Sequence, residues 1–161
     1  RVKNIFSCDC FVFKKNGNGY SPLMIFSTGD CPIIFLSDEK IFSVIHSGVY
    51  GSAKNICGKM LSNLTGIYGL NLEKTKALIW PGISKQFYQV GKEWESVFPG
   101  EIDDEGKINL SLLILKQLLQ EGIKSHQIST LNIFCSAQNE DKFFSFRNRK
   151  EKGRNLTFIR P

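Results

Sequence analysis

Apolar runs of strand length alternate with polar turns in the first part of the chain. The runs cover residues 11–13, 22–26, 32–36 and 41–45. Glycines, asparagines and charged residues fill the segments between them, and these residue types favour turns. Short apolar runs bounded by turn signals are typical of buried strands. The pattern therefore predicts β-rich structure at the start of the chain.

Beyond the fourth run, the apolar residues recur at helical spacing. Four of them predict a helix over residues 52–64, with Ser52 as its N-cap. A short helix is predicted over residues 91–98. The clearest helix is predicted over residues 109–120, because one apolar stripe runs along it and Gly122 is placed to end it.

Four further apolar runs predict strands at residues 76–80, 128–134, 143–146 and 156–159. Strands interleaved with three helices predict an α/β or α+β domain. A chain of 161 residues is long enough to bury a proper core, and no repeat or low-complexity linker divides it. We therefore expect a single domain.

The net charge of +6 is confined to the C-terminal end of the sequence. Residues 142–161 carry the whole excess of basic residues, whereas residues 1–141 are neutral. A nucleic-acid-binding domain is expected to spread basic residues over a face of the fold. The distribution therefore argues against nucleic acid as a partner and favours a local site for a small anion.

The sequence indicates neither a membrane span nor a disulfide framework. No apolar stretch reaches the roughly 18 residues of a span, and no signal-peptide pattern is visible. The five cysteines are irregularly spaced, which suits free thiols in a reducing compartment. We therefore expect a cytoplasmic protein with no membrane partner.

Cys8 and Cys10 form a C-x-C pair near the start of the first run. In an extended strand, alternate side chains lie on the same face, so both thiols would lie on one side. Such a pair could hold a metal, but two small residues in a strand are the simpler interpretation.

The strongest candidate chemistry is a thiol and an imidazole, each at the end of an apolar run. Cys31 precedes the third run, and His46 follows the fourth and opens a turn that contains Gly48 and Gly51. Sites are usually built from such positions. Cys31 and His46 could form an activated catalytic nucleophile, or could supply two of the three ligands of a catalytic zinc. A core cysteine and a structural histidine are the alternatives.

Aromatic rings and arginines supply candidate binding residues. Phe87 and Tyr88 could stack against a planar substrate, although a place in the core is the alternative. Arg147 and Arg154 could hold an oxyanion such as phosphate, because guanidinium groups bind oxyanions through paired donors. A solvated hairpin is the alternative for this segment, and residues 149–152 are predicted to be a solvated turn.

Five blocks of the sequence carry a family pattern in the right order. They lie at residues 28–35, 46–51, 80–91, 109–110, and 135–147 with 153–154. The blocks resemble five segments of the YfiH-like or laccase-domain family. In chain order these family segments are T-A-D-C-x-P, H-A-G-W-R-G, G-P-A-I-G-P to E-V-G, Asp-Leu, and C-T to [FL]-[FY]-S-[FY]-R with a closing G-R. No single block is specific, but the ordered set is.

The resemblance implies a fold of layered mixed sheets flanked by helices, related to cysteine hydrolases. It implies a zinc-dependent purine nucleoside phosphorylase that also deaminates adenosine, with a purine nucleoside and phosphate as partners and a homodimer as the assembly. An older description of the family is copper polyphenol oxidase. By position, Cys31 and His46 would be catalytic residues and two of three zinc ligands. Arg147, Tyr88 and Phe87 would contact the substrate.

Several positions depart from the family pattern. The family's first zinc-binding histidine lies in an upstream Q-x-H-G segment, so we expect residues 1–161 to be one domain without the family's N-terminal third. The family's Trp, Arg, Glu and Asp are Val49, Tyr50, Gln89 and Asn109 here. Two ligands alone hold zinc loosely. A metal-free Cys-His enzyme and an inactive binding or structural domain therefore remain alternatives.

Overall fold

The computed structural model describes residues 8–15, 23–131 and 134–160. The strands in these ranges are β1 (Cys10–Lys14), β2 (Met24–Thr28), β3 (Ile33–Ser37), β4 (Ile41–His46), β5 (Lys76–Ile79), β6 (Ile128–Thr130) and β7 (Asn155–Ile159). The α-helices are α1 (Val49–Ala53), α2 (Ile56–Gly66), α3 (Leu110–Gln120) and α4 (Phe146–Arg149).

Five of the strands form one mixed sheet, in the order β1-β4-β3-β5-β6. Neighbouring strands are antiparallel except β5 and β6, which are parallel. Strands β2 and β7 form a separate antiparallel ribbon, in which Met24 pairs with Ile159. The mixed sheet, the antiparallel ribbon and the helices confirm the predicted α/β (α+β) class.

The main core lies between the five-stranded sheet and helices α2 and α3. Its buried apolar residues are Ile34, Leu36, Ile41, Ile45, Cys57, Leu61, Leu64, Leu70, Ala77, Ile79, Ile114, Leu118 and Ile123. A second core cluster contains Val49, Ile83, Tyr88, Phe98, Ile108, Leu110, Leu113, Cys135 and Ala137. Strands β3, β4 and β5 are therefore fixed by packing close to the point where the candidate residues lie.

Helix α3 begins and ends as the sequence predicts. The Asn109 side chain accepts a hydrogen bond from Leu112 N at 3.1 Å and caps the first turn. Gly122 has a φ of 94°, a conformation that glycine adopts without strain just beyond a helix. Helices α2 and α3 have 11 residues each, and in the described part of the chain no helix has the length and apolar character of a membrane span.

The start predicted for the helix at residues 52–64 is wrong. Ser52 lies inside α1, where its hydroxyl is 2.9 Å from that of Ser47. The N-cap of α2 is Asn55, whose side chain accepts from Gly58 N at 3.2 Å. Serine is a residue type that favours N-caps, which is why the sequence pointed to Ser52. In the structure, the Ser52 hydroxyl instead pairs with that of Ser47 in a buried contact within the preceding helix.

The predicted strand at residues 143–146 is also wrong, because α4 begins at Phe146. Ser145 is buried, its hydroxyl accepts from Asn148 N at 3.3 Å, and its own N–H donates to Glu151 at 2.7 Å. These hydrogen bonds form the N-terminal cap of α4, where a strand would instead bond to a neighbouring strand.

Two other predicted elements are shorter than expected. Only Lys92–Trp94, a single 3₁₀ turn, is helical in the segment predicted as a short helix over residues 91–98. Strand β6 covers Ile128–Thr130, and two residues of the strand predicted there, 132 and 133, lie outside the described residues.

Asp38, in the turn between β3 and β4, accepts three backbone hydrogen bonds. Its Oδ1 accepts from Lys40 N at 2.8 Å and Ile41 N at 2.7 Å, and its Oδ2 accepts from Asn71 N at 2.8 Å. Burial acts to raise the pKa of Asp38, but these bonds and the cation of Lys15 together lower it below 3.8. The ionised carboxylate therefore fastens the turn to the segment that follows α2.

We expect Asp38 to make the fold acid-sensitive. Its folded-state pKa is depressed, so its stabilisation is complete above the unfolded-state pKa and is lost as pH falls through the folded-state pKa. Asp38→Asn should cost about 1–2 kcal/mol at neutral pH, because the amide nitrogen cannot accept from Asn71. It should also flatten the fall in stability below about pH 5. Urea unfolding at a series of pH values measures both effects, and an equally steep fall in the variant would contradict the assignment.

Candidate functional site

Strand pairing brings Cys31 and His46 to the same end of the five-stranded sheet. His46 is the last residue of β4 and pairs with Ile33, the first residue of β3. Cys31 lies two residues before Ile33. On the other side of β4, His46 N donates to the Asp9 carbonyl at 2.7 Å. The sheet therefore holds the imidazole between the segments that lead into β1 and β3.

Polar partners engage the His46 imidazole. Its Nδ1 lies 2.9 Å from Asp9 Oδ1. A side-chain hydrogen bond with Cys31 is the main cause that raises the pKa of His46 to about 9; burial opposes the rise and Asp9 adds to it. Since Asp9 engages Nδ1, Nε2 is the nitrogen left for Cys31. The imidazole thus lies beside the Asp9 carboxylate and near enough to the Cys31 thiol for the thiol to raise its pKa.

Gly48 leaves the space that the Cys31 thiol occupies. A Cβ atom at Gly48 would lie only 2.9 Å from Cys31 Sγ, which is closer than nonbonded atoms approach. A larger residue at position 48 would therefore displace the thiol. The reason for glycine at position 48 is therefore packing, because its φ of −78° is one that any residue can adopt.

Asp30 joins the segment before Cys31 to the C-terminal part of the chain. The residue is buried, its Oδ1 accepts from Ser136 Oγ at 2.7 Å, and its Oδ2 accepts from Arg147 N at 2.6 Å. Its carbonyl also accepts from Ile83 N at 2.8 Å. Three segments that are distant in the sequence therefore meet at one buried residue beside the thiol.

The guanidinium of Arg147 lies against Tyr88 close to the same point. Its Cζ atom is 4.8 Å from the centre of the Tyr88 ring. Burial raises the pKa of Tyr88, nearby Cys31 adds to the rise, and Arg147 opposes it through its charge and a hydrogen bond. Among the described residues, Arg147 takes part in no ion pair with a carboxylate. The fold therefore gathers four of the predicted site residues, Cys31, His46, Tyr88 and Arg147.

Phe87 lies beside this group but is held by packing. It is half-buried and packs against the second core cluster, as does Trp94. Tyr88 is itself buried, and a guanidinium lies over its ring. The use of Phe87 and Tyr88 as substrate contacts stays a prediction.

Two arginines of the basic segment are tied to backbone carbonyls. Arg149 donates to Ala137 O at 2.7 Å and Phe143 O at 2.6 Å, and pairs with Glu151 at 2.9 Å. The prediction that Arg149 belongs to a solvated turn is therefore wrong. Arg154 donates to the carbonyls of residues 152 and 153 at 3.0 and 2.8 Å. Arg147 is thus better placed than Arg154 for an anion.

The residues present fit two positions of a zinc site. A cysteine thiolate and a histidine are ligands that zinc prefers, and a carboxylate on the second ring nitrogen, as Asp9 supplies, is the usual support of a metal-bound histidine. Within residues 8–15, 23–131 and 134–160, no group of three or more His, Cys, Asp or Glu side chains is arranged to hold a metal.

The Cys8 and Cys10 pair does not supply the missing ligands. Burial is the main cause that raises the pKa of Cys10 to about 11, and this disfavours the thiolate that a metal needs. Cys10 packs against the main core, while Cys8 is exposed. The simpler interpretation of the pair, as small residues at the start of a strand, agrees with this environment.

The sequence interpretation assigned no role to Asp9 or Asp30. Asp9 lies between Cys8 and Cys10, which were themselves the candidate metal ligands of that segment, and Asp30 directly precedes Cys31. Antiparallel pairing of the first and fourth apolar runs would have placed Asp9 opposite His46. No comparable signal existed for Asp30, whose partner Ser136 is 106 residues away.

Sequence comparison relates the chain to enzymes named for nucleoside chemistry. Residues 7–160 match the family model described as multi-copper polyphenol oxidoreductase laccase. A purine nucleoside phosphorylase of Clostridium acetobutylicum is 30% identical over 82% of this chain and 59% of its own length. One from Campylobacter jejuni is 28% identical over 98% of this chain and 68% of its own length. The chain thus spans about two thirds or less of these relatives.

Solved structures share the fold. YlmD from Geobacillus stearothermophilus superposes with a TM-score of 0.81 at 22% identity, over 96% of this chain and 61% of that chain. The YfiH protein of Bacillus licheniformis superposes with a TM-score of 0.79 at 21% identity, over 93% of this chain and 60% of that chain. Together with the family model, which covers nearly the whole sequence, these findings confirm the resemblance drawn from the five blocks: the chain belongs to the YfiH-like, multi-copper polyphenol oxidoreductase laccase family.

Proposed function

We propose that Cys31, His46, Tyr88 and Arg147 serve a zinc-dependent purine nucleoside phosphorylase. The observation that carries the proposal is the Arg147 guanidinium, which has no carboxylate partner among the described side chains and lies over the ring of Tyr88, a residue near Cys31. The names of the curated relatives support this reaction. Because the chain spans only part of their length, the proposal concerns the whole protein.

Phosphorolysis breaks the glycosidic C–N bond and forms a C–O bond from ribose to phosphate. The purine leaves with the bonding electrons and takes up a proton, and the sugar product is ribose 1-phosphate. Arg147 would bind the phosphate, since a guanidinium offers paired N–H donors to an oxyanion. Tyr88 would hold that guanidinium in place through its ring and hydroxyl.

Cys31 Sγ and His46 Nε2 would be two ligands of the zinc. A zinc bound there would supply Lewis-acid polarisation of a substrate oxygen. Asp30 fixes the backbone of Arg147 relative to Cys31, so the phosphate-binding group and the metal-binding group are kept in one arrangement. Deamination of adenosine, which the family resemblance implies, belongs to the same proposal and is assayed as inosine formed without phosphate.

Arg147→Ala should lower kcat/KM for phosphate by about 10–100-fold, because hydrogen bonds to charged groups contribute about 1.5–3 kcal/mol. The KM for the nucleoside should change much less. The alanine keeps the backbone N–H that Asp30 accepts, so the fold should be retained. Initial rates of ribose 1-phosphate formation from inosine, at varied phosphate and with the protein expressed from the natural gene, measure the effect.

Lys152→Ala is the matched control, since it removes an exposed cation from the same basic segment. It should leave both kinetic constants unchanged. Equal losses in the two variants would mean that general charge, and not a phosphate contact, explains the effect. A zinc-loaded protein without phosphorolysis of inosine or adenosine would reject the proposed function.

A metal-free cysteine enzyme is the second candidate, because the contacts of Asp9, His46 and Cys31 also suit an activated thiol. Metal analysis and alkylation by iodoacetamide separate the two. Stoichiometric zinc that is lost in Cys31→Ala supports the first candidate. Rapid alkylation of Cys31 in a protein that holds no zinc supports the second. If neither result is obtained, an inactive binding or structural domain is the remaining interpretation.

A further inference from the structure

The carboxylate of Asp9 makes its side-chain contact with one nitrogen of one imidazole. Asp9 Oδ1 lies 2.9 Å from His46 Nδ1, and the Asp9 side chain is 67% exposed. An exposed carboxylate contributes little to a core, so stability of the fold does not explain the contact. Its physical effect falls on the ring that it touches.

A separate backbone bond fixes Asp9 where this contact can form. The Asp9 carbonyl accepts from His46 N at 2.7 Å, directly beyond the β1–β4 pair Cys10 and Ile45. Residues 9 and 46 therefore face each other as an extension of the strand ladder. The backbone bond does not depend on the side chain, so position 9 can be varied without removing the pairing.

We propose that Asp9 is a positioning residue for His46. Its carboxylate holds the ring proton on Nδ1 and keeps Nε2 turned toward Cys31. The partner of one ring nitrogen decides which nitrogen carries the proton in a neutral imidazole. A carboxylate accepts only, so Nδ1 must be the donor. In the neutral ring, Nε2 then keeps its lone pair for a metal or for the thiol proton. The expected effect of Asp9 on zinc affinity, which we call the zinc consequence, rests on the proposed function, whereas the orientation of the ring does not.

The orientation is tested on the metal-free Cys31→Ala chain, in which no thiolate competes for the ring proton. Long-range ¹H–¹⁵N correlation spectra of His46 are recorded at about pH 10.5, above its pKa of about 9, where the imidazole is neutral. In this chain the Nδ1–H tautomer should exceed the other by about tenfold, since a charge-assisted hydrogen bond to Asp9 favours it. Asp9→Ala should abolish that excess. Asp9→Asn should retain part of it, because the amide oxygen still accepts from Nδ1.

The zinc consequence is tested by competition with a chelator. Loss of a supporting carboxylate typically weakens metal binding by about 10–100-fold, and Asp9→Ala should fall in this range, with Asp9→Asn between it and the unaltered protein. Asp104→Ala, which removes another exposed carboxylate, is the control and should change neither the spectra nor zinc affinity. Circular dichroism checks that each variant is folded.

The outcomes separate this inference from the proposed function. A dominant Nδ1–H tautomer that disappears in Asp9→Ala supports the inference even if no nucleoside is cleaved. A dominant Nε2–H tautomer in the Cys31→Ala chain, or a tautomer ratio there that Asp9→Ala does not change, overturns it. Zinc affinity that is the same in Asp9→Ala and Asp104→Ala overturns the metal-supporting role.

Discussion

Asp30→Ala is expected to lower the free energy of unfolding by about 3 kcal/mol, because it removes two charge-assisted hydrogen bonds and leaves one buried and one partly buried donor without a partner. The donors are the Ser136 hydroxyl and the Arg147 backbone N–H, at 2.7 and 2.6 Å from the carboxylate. Asp30 is 7% exposed, so water does not replace the lost acceptor easily. Urea unfolding followed by circular dichroism measures the loss.

Two further variants show whether the carboxylate itself is responsible. Asp30→Asn keeps the shape and one acceptor, so it should cost roughly half as much as Asp30→Ala. Asp104→Ala removes an exposed carboxylate and should change stability by no more than about 0.5 kcal/mol. If Asp30→Ala behaved like Asp104→Ala, the C-terminal segment would not be held at Asp30.

The same substitution should also disturb the candidate site. Arg147 is fixed relative to Cys31 through the Asp30 carboxylate, which bonds the arginine's backbone and not its guanidinium. Loss of this bond frees the start of α4, so phosphate binding should weaken along with the fold. Stability and phosphate affinity that fell independently in a series of Asp30 variants would argue against this link.

Local patterns in the sequence were sufficient for the elements that depend on local interactions. Helix α3 is an example, since its cap Asn109, its buried stripe and Gly122 all lie within a short segment. Strands β3 and β4 are similar, because their apolar runs are bounded by a turn that Asp38 closes over two or three residues. In these segments the local signals and the final packing agree.

The predictions failed where specific side-chain hydrogen bonds, rather than the periodicity of apolar residues, decide the local structure. Residues 143–146 have the composition of a strand, yet Arg149 and Glu151 bind the backbone of this segment and Ser145 caps a helix. Ser52 is a residue type that favours helix N-caps, yet its hydroxyl contacts that of Ser47 in a buried pair. Periodicity does not report such contacts, because each depends on a partner that the local pattern does not identify.

The candidate site divides in the same way. Cys31 and His46 were found because each lies at a strand end, and this position can be read from apolar runs. Asp9 reaches His46 across 37 residues, and Asp30 reaches Arg147 across 117. The reactive groups were therefore predictable from residue type and position. The carboxylates that hold them required strand register and tertiary packing.

Gly82→Ala is expected to cost about 3 kcal/mol of stability, the upper end of the usual cost of overpacking. A Cβ atom at Gly82 would lie 2.8 Å from the Asp30 carbonyl oxygen and 2.9 Å from Pro32 Cγ. Neither neighbour can move freely. The Asp30 carbonyl accepts from Ile83 N at 2.8 Å, and the Gly82 carbonyl accepts from Ser136 N at 3.1 Å. Relief of the clash would have to break one of these bonds.

Gly66→Ala is the matched control, because it adds the same methyl group where no atom lies within 4 Å. Gly66 is the last residue of α2, where alanine should be neutral or stabilise by up to about 1 kcal/mol. Thermal and urea unfolding of the two variants should therefore shift in opposite directions, or only Gly82→Ala should shift. Because residue 82 touches the backbone beside Cys31, Gly82→Ala should also lower zinc affinity, whereas Gly66→Ala should not. A Gly82→Ala protein as stable as Gly66→Ala would show that the Asp30–Pro32 backbone yields to a methyl group, and that the close approach of these two segments does not hold the thiol in place.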